Sequence, residues 1–142
     1  MNKNRNDEEP LHVPDLRVES ERLRLGPAGF YAFFIIAVKW GLTDVEALDL
    51  LALGTQTPIE QLRNKPDPKH FTEERMFRIS NLIGIYKGLQ INHSEYLANR
   101  WVKLRNRNQL FGGATPLEFM VNGGVDAMHR VRKLIDARCA WN

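Results

Sequence analysis

The stretch WVKLRNRNQLFGGATPLEFMVNGG, residues 101–124, decides how the second half of this chain folds. A basic, asparagine-rich segment leads to a pair of glycines, and a Thr-Pro step follows. Asparagine and glycine tolerate a positive φ angle, so a chain rich in them can turn tightly. The residues in question are Asn106, Asn108, Gly112 and Gly113. We therefore expect a sharp corner with a defined geometry between two helices.

The residues after this corner carry the signals of a helix start. Thr115 is suited to the N-cap, Pro116 to the first helical position, and Glu118 is placed to cap in return. Apolar spacing then predicts two helices, near residues 116–122 and 125–140.

Two capping boxes mark helix starts in the first half. The segments TDVE, beginning at Thr43, and TPIE, beginning at Thr57, each place a glutamate three residues after a threonine. In a capping box these two side chains satisfy backbone groups of the first turn. The first box predicts a helix through Leu53 that stops at Gly54, and the second predicts a short helix ending before Pro66.

Apolar residues also recur at helical spacing in longer stretches. One begins near residue 26 and reaches Trp40, where Gly41 supplies a stop. Another starts at Thr72 and runs to about residue 91, and a shorter helix is predicted over residues 94–104. No strand pattern is recognisable, so we predict an all-α fold. Residues 1–25, which are polar and contain two prolines, are predicted to form a mobile arm.

Composition favours a cytoplasmic protein that does not enter a membrane. The chain has 142 residues, 43% of them hydrophobic, and a single cysteine, so no internal disulfide can form. Its most apolar run, residues 30–38, is far shorter than the roughly 20 residues needed to cross a bilayer. The first ten residues lack the apolar region of a signal peptide.

The charge of the chain is unevenly distributed. The net charge is +3, but residues 71–142 carry a net charge of +5 and residues 1–70 a net charge of −2. A basic face in the second half could meet DNA or an acidic protein patch. It could equally be a solvated surface without a partner.

The residue pattern does not favour catalysis. The four histidines lack the short spacings of a metal site, and no base is identifiable for Cys139. The pair Gly112-Gly113 precedes a capped helix and could bind an anion, but no GxGxxG or P-loop spacing accompanies it. We therefore expect no enzyme activity, no cofactor and no metal.

Several separated motifs in the second half occur in a defined order. They are IGIYK at 83–87, Trp101, Asn108, FGG at 111–113, PLEFM at 116–120, Gly124 and VR at 131–132. Together they resemble the toxin-binding domain of the Xre/MbcA/ParS antitoxin family, over roughly residues 71–142. This resemblance implies a toxin-binding domain at 71–142, preceded by an Xre-like helix-turn-helix domain at 26–70 and the arm at 1–25.

The first half is similar to the Xre-type segment through WGLT at 40–43 and the residues after it. In a helix-turn-helix, the second helix enters the major groove of DNA. The residues that this helix and the turn before it would present are Thr55, Gln56, Thr57, Gln61, Arg63, Asn64 and Lys65. The chain departs from the family pattern, because it carries Glu60 where basic residues are usual. Helix-turn-helix geometry also occurs in proteins that never contact nucleic acid.

The resemblance implies an antitoxin that occludes the active site of a RES-domain toxin, a class that acts on NAD. It further implies a homodimer that binds operator DNA and represses its own operon. The expected toxin contacts are Arg107, Asn108, Phe111, Gly112, Gly113, Arg130, Lys133, Arg138, Trp141 and Asn142. Phe111 could instead pack under its own loop. Two other functions stay open, a dedicated helix-turn-helix transcriptional regulator and an orphan protein-interaction adaptor.

Overall fold

The computed structural model describes residues 13–139, which form an all-helical fold without strands, as the sequence predicts. The α-helices are α1 (Glu19–Lys39), α2 (Asp44–Leu50), α3 (Ile59–Asn64), α4 (Glu73–Asn92), α5 (Glu95–Ala98) and α6 (Pro116–Cys139). Short 3-10 helices span Pro68–His70, Trp101–Lys103 and Gln109–Phe111.

Helix α1 begins earlier than its apolar periodicity indicates. The prediction of an arm through residue 25 is wrong for residues 19–25, which are helical. Two acidic residues in the first turn suit the positive end of the helix dipole. The guanidinium of Arg22 donates to the carbonyl oxygens of Leu16 at 3.1 Å and Phe71 at 3.0 Å. These bonds fasten the start of α1 to the body of the fold, and residues 1–12 lie outside the described range.

Helix α4 lies at the centre and packs against both α1 and α6. Gly88 permits the close approach of α6, because a Cβ atom there would overlap the side chain of Ile135. The buried apolar side chains of both halves form one cluster, so a single core crosses the predicted domain boundary at residue 70. Within residues 13–139, none of these helices combines the length and the hydropathy needed to cross a membrane.

The first predicted capping box is confirmed and the second is wrong. The Thr43 hydroxyl accepts from the Glu46 amide at 3.1 Å, and the Glu46 carboxylate accepts from the Thr43 amide at 2.9 Å. Pro58, not Thr57, occupies the N-cap of α3, which has no side-chain cap bond. The Pro58 carbonyl accepts from the Gln61 and Leu62 amides, so the helix begins one residue later than the capping box requires.

The predicted helix end at Leu53 and Gly54 is also wrong. Helix α2 ends at Leu50, and Ala52 takes the left-handed conformation with φ of 56°. Alanine rarely adopts this conformation, so tertiary contacts must hold it there. At the end of α1, the predicted stop at Gly41 is confirmed, and this glycine is left-handed with φ of 64°.

The region after α4 contains less helix than its sequence pattern predicts. Only a single-turn helix, α5, and the 3-10 turn Trp101–Lys103 replace the predicted helix over residues 94–104. The hydroxyl of Ser94 caps α5 by accepting from the Leu97 amide at 3.3 Å. The predicted break in the last helical region is confirmed, because Gly124 has non-helical angles (φ 66°, ψ −147°) inside α6.

Candidate protein-interaction surface

The corner loop, residues 104–115, is shaped by side-chain hydrogen bonds to its own backbone. The Asn106 side-chain oxygen accepts from the Asn108 amide at 2.9 Å, and the Asn108 oxygen accepts from the Leu110 amide at 2.9 Å. Gly112 and Gly113 have φ angles of 56° and 90°, as predicted. The two asparagines do not adopt positive φ, because their contribution is to cap turns.

An aromatic cluster lies under the corner loop. The ring of Phe111 meets Trp101 edge-on with centroids 5.8 Å apart, and Phe119 with centroids 5.4 Å apart. Only 3% of Phe111 is exposed. The expectation that Phe111 contacts a toxin is therefore wrong, and the alternative, packing under its own loop, is correct.

The polar residues of the corner loop face outward over this cluster. Arg107, Gly112 and Gly113 are exposed, and Asn108 is half-buried because its side chain turns onto the loop backbone. The Thr115 hydroxyl accepts from the Glu118 amide at 3.1 Å, which confirms it as the cap of α6. The loop thus presents two arginines, Arg105 and Arg107, and bare glycine backbone on a support fixed at both ends.

The kink of α6 lies against a buried arginine of α4. A Cβ atom at Gly124 would sit 3.0 Å from Nη2 of Arg78, so glycine permits the close approach as well as the backbone angle. Arg78 is 8% exposed, pairs with the Glu74 carboxylate at 2.8 Å and donates to the Leu50 carbonyl at 3.1 Å. One side chain therefore links α2, α4 and the turn in α6.

The second segment of α6 exposes one face to solvent. We name this the α6 outer face, and it consists of Asp126, His129, Arg130, Lys133, Asp136 and Ala137. Arg130 pairs with Asp126 at 3.2 Å, whereas Lys133 has no ion pair among the described residues. The face mixes both signs of charge, so the predicted basic face is partly neutralised here. Arg138 lies half-buried beside this face, and Trp141 and Asn142 lie outside the described residues.

On the expected DNA-binding surface of α3, Arg63 is already bound by other residues of the fold. Arg63 pairs with Asp44 at 2.8 Å and with Glu60, and its guanidinium lies 5.3 Å from the ring centre of Phe34. The hydrogen bond to Asp44 raises the pKa of Arg63, although burial lowers it. The predicted contact through Arg63 therefore faces competition from two carboxylates of its own fold.

The other expected DNA contacts keep their accessibility. Those that are exposed are Thr55, Gln56, Gln61, Asn64 and Lys65, and Thr57 is half-buried. Glu60 is 74% exposed at its side chain. Helix α3 and the Lys65 that caps its end thus present amides and one lysine beside an acidic residue.

Cross-connections between the halves are the feature that sequence reasoning missed. Arg75 donates to the carbonyls of Leu51 at 2.8 Å and His70 at 3.0 Å, and burial lowers its pKa. Lys103 pairs with Glu46 at 3.1 Å. Arginine or lysine capping of a distant helix leaves no local spacing signal, so only the tertiary structure reveals it.

Cys139 is a half-buried thiol near the end of the described chain. Its Sγ lies 3.7 Å from the Gly88 carbonyl oxygen, and the Asn92 amide nitrogen lies 3.3 Å from the same sulfur. No group of three or more metal-ligating side chains comes together within residues 13–139.

Comparison with known proteins identifies a relative of this chain. The chain is 32% identical over 131 residues to uncharacterized protein y4oB of Sinorhizobium fredii, and the match covers 92% of this chain and 96% of that protein. This chain belongs to the y4oB family. No family model matches it, and no solved structure does so at a significant level.

The similarity within the y4oB family is close to full length. It therefore extends over both the α1–α3 half and the α4–α6 half, which share one hydrophobic core. The two candidate surfaces, the corner loop with α6 and the exposed side of α3, belong to one folded unit. A change that alters the packing between the halves should accordingly affect both surfaces.

Proposed function

We propose that this y4oB-family protein is the antitoxin of a type II toxin–antitoxin pair. It neutralises an NAD-degrading RES-domain toxin in the cytoplasm by binding over the entrance to the toxin's active site. The resemblance of residues 71–142 to the Xre/MbcA/ParS toxin-binding domain supports this function. The chemistry of the corner loop and of the α6 outer face supports the mode of binding.

The observation that carries the proposal is the way in which side chains of the fold support the exposed corner loop. Trp101 and Phe111 support the loop from below, two asparagine caps fix its backbone, and Arg107 and the glycine pair face solvent. A surface already held in one conformation loses little entropy on binding. Bare glycine backbone also allows a partner chain to approach closely.

Cations of α6 would extend this contact. Lys133 is exposed and without an ion pair among the described residues, and Arg130 is held only by Asp126 in its own helix. Such an exposed pair contributes about 0–1 kcal/mol, so Arg130 can exchange Asp126 for a toxin carboxylate at small cost. Arginine and carboxylate pair through two parallel hydrogen bonds, which gives direction as well as attraction.

Co-expression with the product of the neighbouring toxin gene tests the proposal. The expected result is a complex that co-purifies, and cells that keep their NAD. The double variant Arg130→Glu plus Lys133→Glu should weaken the complex at least tenfold. The matched control is Arg24→Glu plus Lys39→Glu on α1, which also replaces one paired arginine and one lysine.

Two outcomes decide the assignment. Neutralisation that survives the α6 double variant would show that this face is not the contact. Failure of the wild-type chain to bind the toxin or to preserve NAD would reject the antitoxin function and favour an adaptor.

We further propose that the protein binds its operator DNA through α3. The exposed amides of Gln61 and Asn64 suit base edges, and Lys65 suits a phosphate. Because Arg63 is held by Asp44 and Glu60, we expect Arg63→Ala to change DNA affinity little. Lys65→Ala, at the C-cap of α3, should weaken binding and reduce its salt dependence, in contrast to Lys69→Ala in the 3-10 helix that follows. DNA binding without toxin binding would identify a dedicated transcriptional regulator instead.

A homodimer would place two copies of α3 on two half-sites. A stripe on α1 supports this assembly, since Tyr31, Ile35 and Val38 are exposed apolar residues at helical spacing. Val38 is 77% exposed, so Val38→Asp should lower the dimer population without disturbing the fold. Light scattering measures the mass, and an unchanged dimer would remove α1 from the interface.

A further inference from the structure

A separate apolar cleft of about 510 Å³ lies between the chain at residues 13–16, α1 and α4. Its apolar lining includes Leu16, Leu25, Met76, Ile79 and Ile83. Its volume falls within the range of about 300–1,000 Å³ that small-molecule sites occupy. The cleft involves neither the corner loop nor α3, so neither proposed surface accounts for it.

One stripe of α4 gives the cleft a polar and an apolar end. Met76, Ile83 and Lys87 line it at helical spacing, with Ile79, Ser80 and Gly84 between them. Met76 and Lys87 are separated by about 16 Å along the helix axis. Along this helix the lining therefore runs from the buried side chains of Met76 and Ile79, through half-buried Ile83, to the exposed cation of Lys87.

A second cation joins Lys87 at the polar end. Arg132 of α6 crosses α4 at Gly84, where a Cβ atom would overlap its guanidinium, and it donates to the Ser80 carbonyl at 3.3 Å. Its nearest carboxylate, on Asp136, lies 3.8 Å from Nε. Lys87 is exposed and forms no ion pair among the described residues. Among the described residues, Arg132 is thus paired with one distant carboxylate and Lys87 with none, which leaves net positive charge at this end.

We propose that the cleft binds a single-chain amphiphile with a carboxylate head, of the medium-chain fatty-acid class. The chain lies along Leu16, Leu25 and Ile83, over a floor formed by the buried side chains of Met76 and Ile79, and the carboxylate is held by Lys87 and Arg132. An apolar lining with a few convergent polar groups is the usual composition of a ligand site, and a carboxylate complements the excess positive charge. This binding is independent of the proposed antitoxin function.

Calorimetric titration of the full chain with dodecanoate below its micellar concentration tests the proposal. We expect saturable binding of one molecule per chain. Lys87→Glu should weaken it at least tenfold, because a like charge then faces the head group. Lys39→Glu, an exposed lysine of α1 outside the lining, is the matched control and should bind as the wild type does.

A second variant tests the apolar part of the cleft. Ala28 is exposed at the rim, so Ala28→Trp should fill the cleft without disturbing the core, and binding should be lost while circular dichroism stays unchanged. Dodecyltrimethylammonium, which has the same chain and a cationic head, should not bind. Three results would overturn the proposal: no uptake of dodecanoate, equal uptake of the cationic amphiphile, or binding to phosphatidylglycerol vesicles in place of the free acid.

Discussion

The corner loop and the turn after α2 are held in different ways. In the corner loop, Asn106, Asn108 and the glycine pair act on backbone groups a few residues away. In the turn after α2, the backbone carbonyls of residues 50–52 are bound by Arg75 and Arg78 of α4, and Ala52 takes an angle that suits glycine. The first turn is stabilised locally and the second from across the fold.

This difference shows why one turn can be predicted and the other cannot. Asparagine and glycine signal a turn wherever they occur, because their effect is on adjacent backbone. An arginine that caps a helix distant in the sequence gives no such signal, because its sequence neighbours look like those of any surface arginine. The contrast also predicts different responses to mutation.

The largest expected effect comes from the aromatic support of the corner loop. Phe111→Ala should lower the free energy of unfolding by about 3–4 kcal/mol, because it removes a buried ring and leaves a cavity. Urea denaturation followed by circular dichroism measures this. Phe111→Leu, which keeps most of the volume, should cost clearly less, and a loss below about 1 kcal/mol for alanine would show that the loop does not depend on this ring.

The distant capping of α2 should rank next. Arg78→Ala should lower the free energy of unfolding by about 2–3 kcal/mol, since it leaves the Leu50 carbonyl without its donor in a buried position. Arg105→Ala, at an exposed arginine of the corner loop, is the control and should change stability by less than about 0.5 kcal/mol. Equal effects of the two substitutions would contradict the proposed role of Arg78.

Local capping in the corner loop should contribute less. Asn108→Ala should lower the free energy of unfolding by about 1 kcal/mol, the usual effect of losing a side-chain cap. Asn108→Asp keeps the acceptor oxygen for the Leu110 amide and should retain most of the stability. If the aspartate variant were as unstable as the alanine variant, capping would not be the contribution of Asn108.

The smallest expected effect concerns the ion pair between Lys103 and Glu46, which connects the 3-10 helix at residues 101–103 to α2. Burial raises the pKa of Glu46, but hydrogen bonds from Thr43 and Lys103 outweigh it, so the net pKa lies below the ordinary 4.5. A lowered pKa stabilises the fold above about pH 4.5, and this contribution is lost as the pH falls through the folded-state value. The stability difference between wild type and Glu46→Gln should therefore shrink on acidification. A difference that is constant from pH 7 to pH 3 would exclude the ionised carboxylate as its cause.

The sequence patterns predicted helix starts more accurately than helix ends. Thr43, Thr72 and Thr115 each cap the helix that follows, because their effect needs only the next three residues. The predicted end of α2 at Leu53 was wrong because Arg75 binds the Leu51 carbonyl. In a longer α2 this carbonyl would accept a hydrogen bond from the helix backbone. The predicted start of α3 failed because the two threonine patterns look alike in the sequence, but Pro58 and not Thr57 occupies the N-cap of α3.

Part of the candidate protein-interaction surface could be predicted from the sequence, because that part depends on local patterns. Exposure of Arg107, Gly112 and Gly113 follows from a polar corner between helices, and the sequence pattern indicates it. The burial of Phe111 depends on Trp101 and Phe119, which lie ten residues before it and eight after it. The capture of Arg63 by Asp44 likewise joins residues of different helices.

The amino-acid sequence by itself determined the all-α class, the capped helix starts, the left-handed glycines of the corner loop and the break at Gly124. These features depend on backbone preferences and on hydrogen bonds that close within a few residues. Only the tertiary structure decided which cations stay free for a partner and which are bound by other residues of the fold, as Arg63 and Arg78 are. Ion pairs and helix caps between distant residues require the packed geometry, since spacing along the chain carries no record of which side chains meet in space.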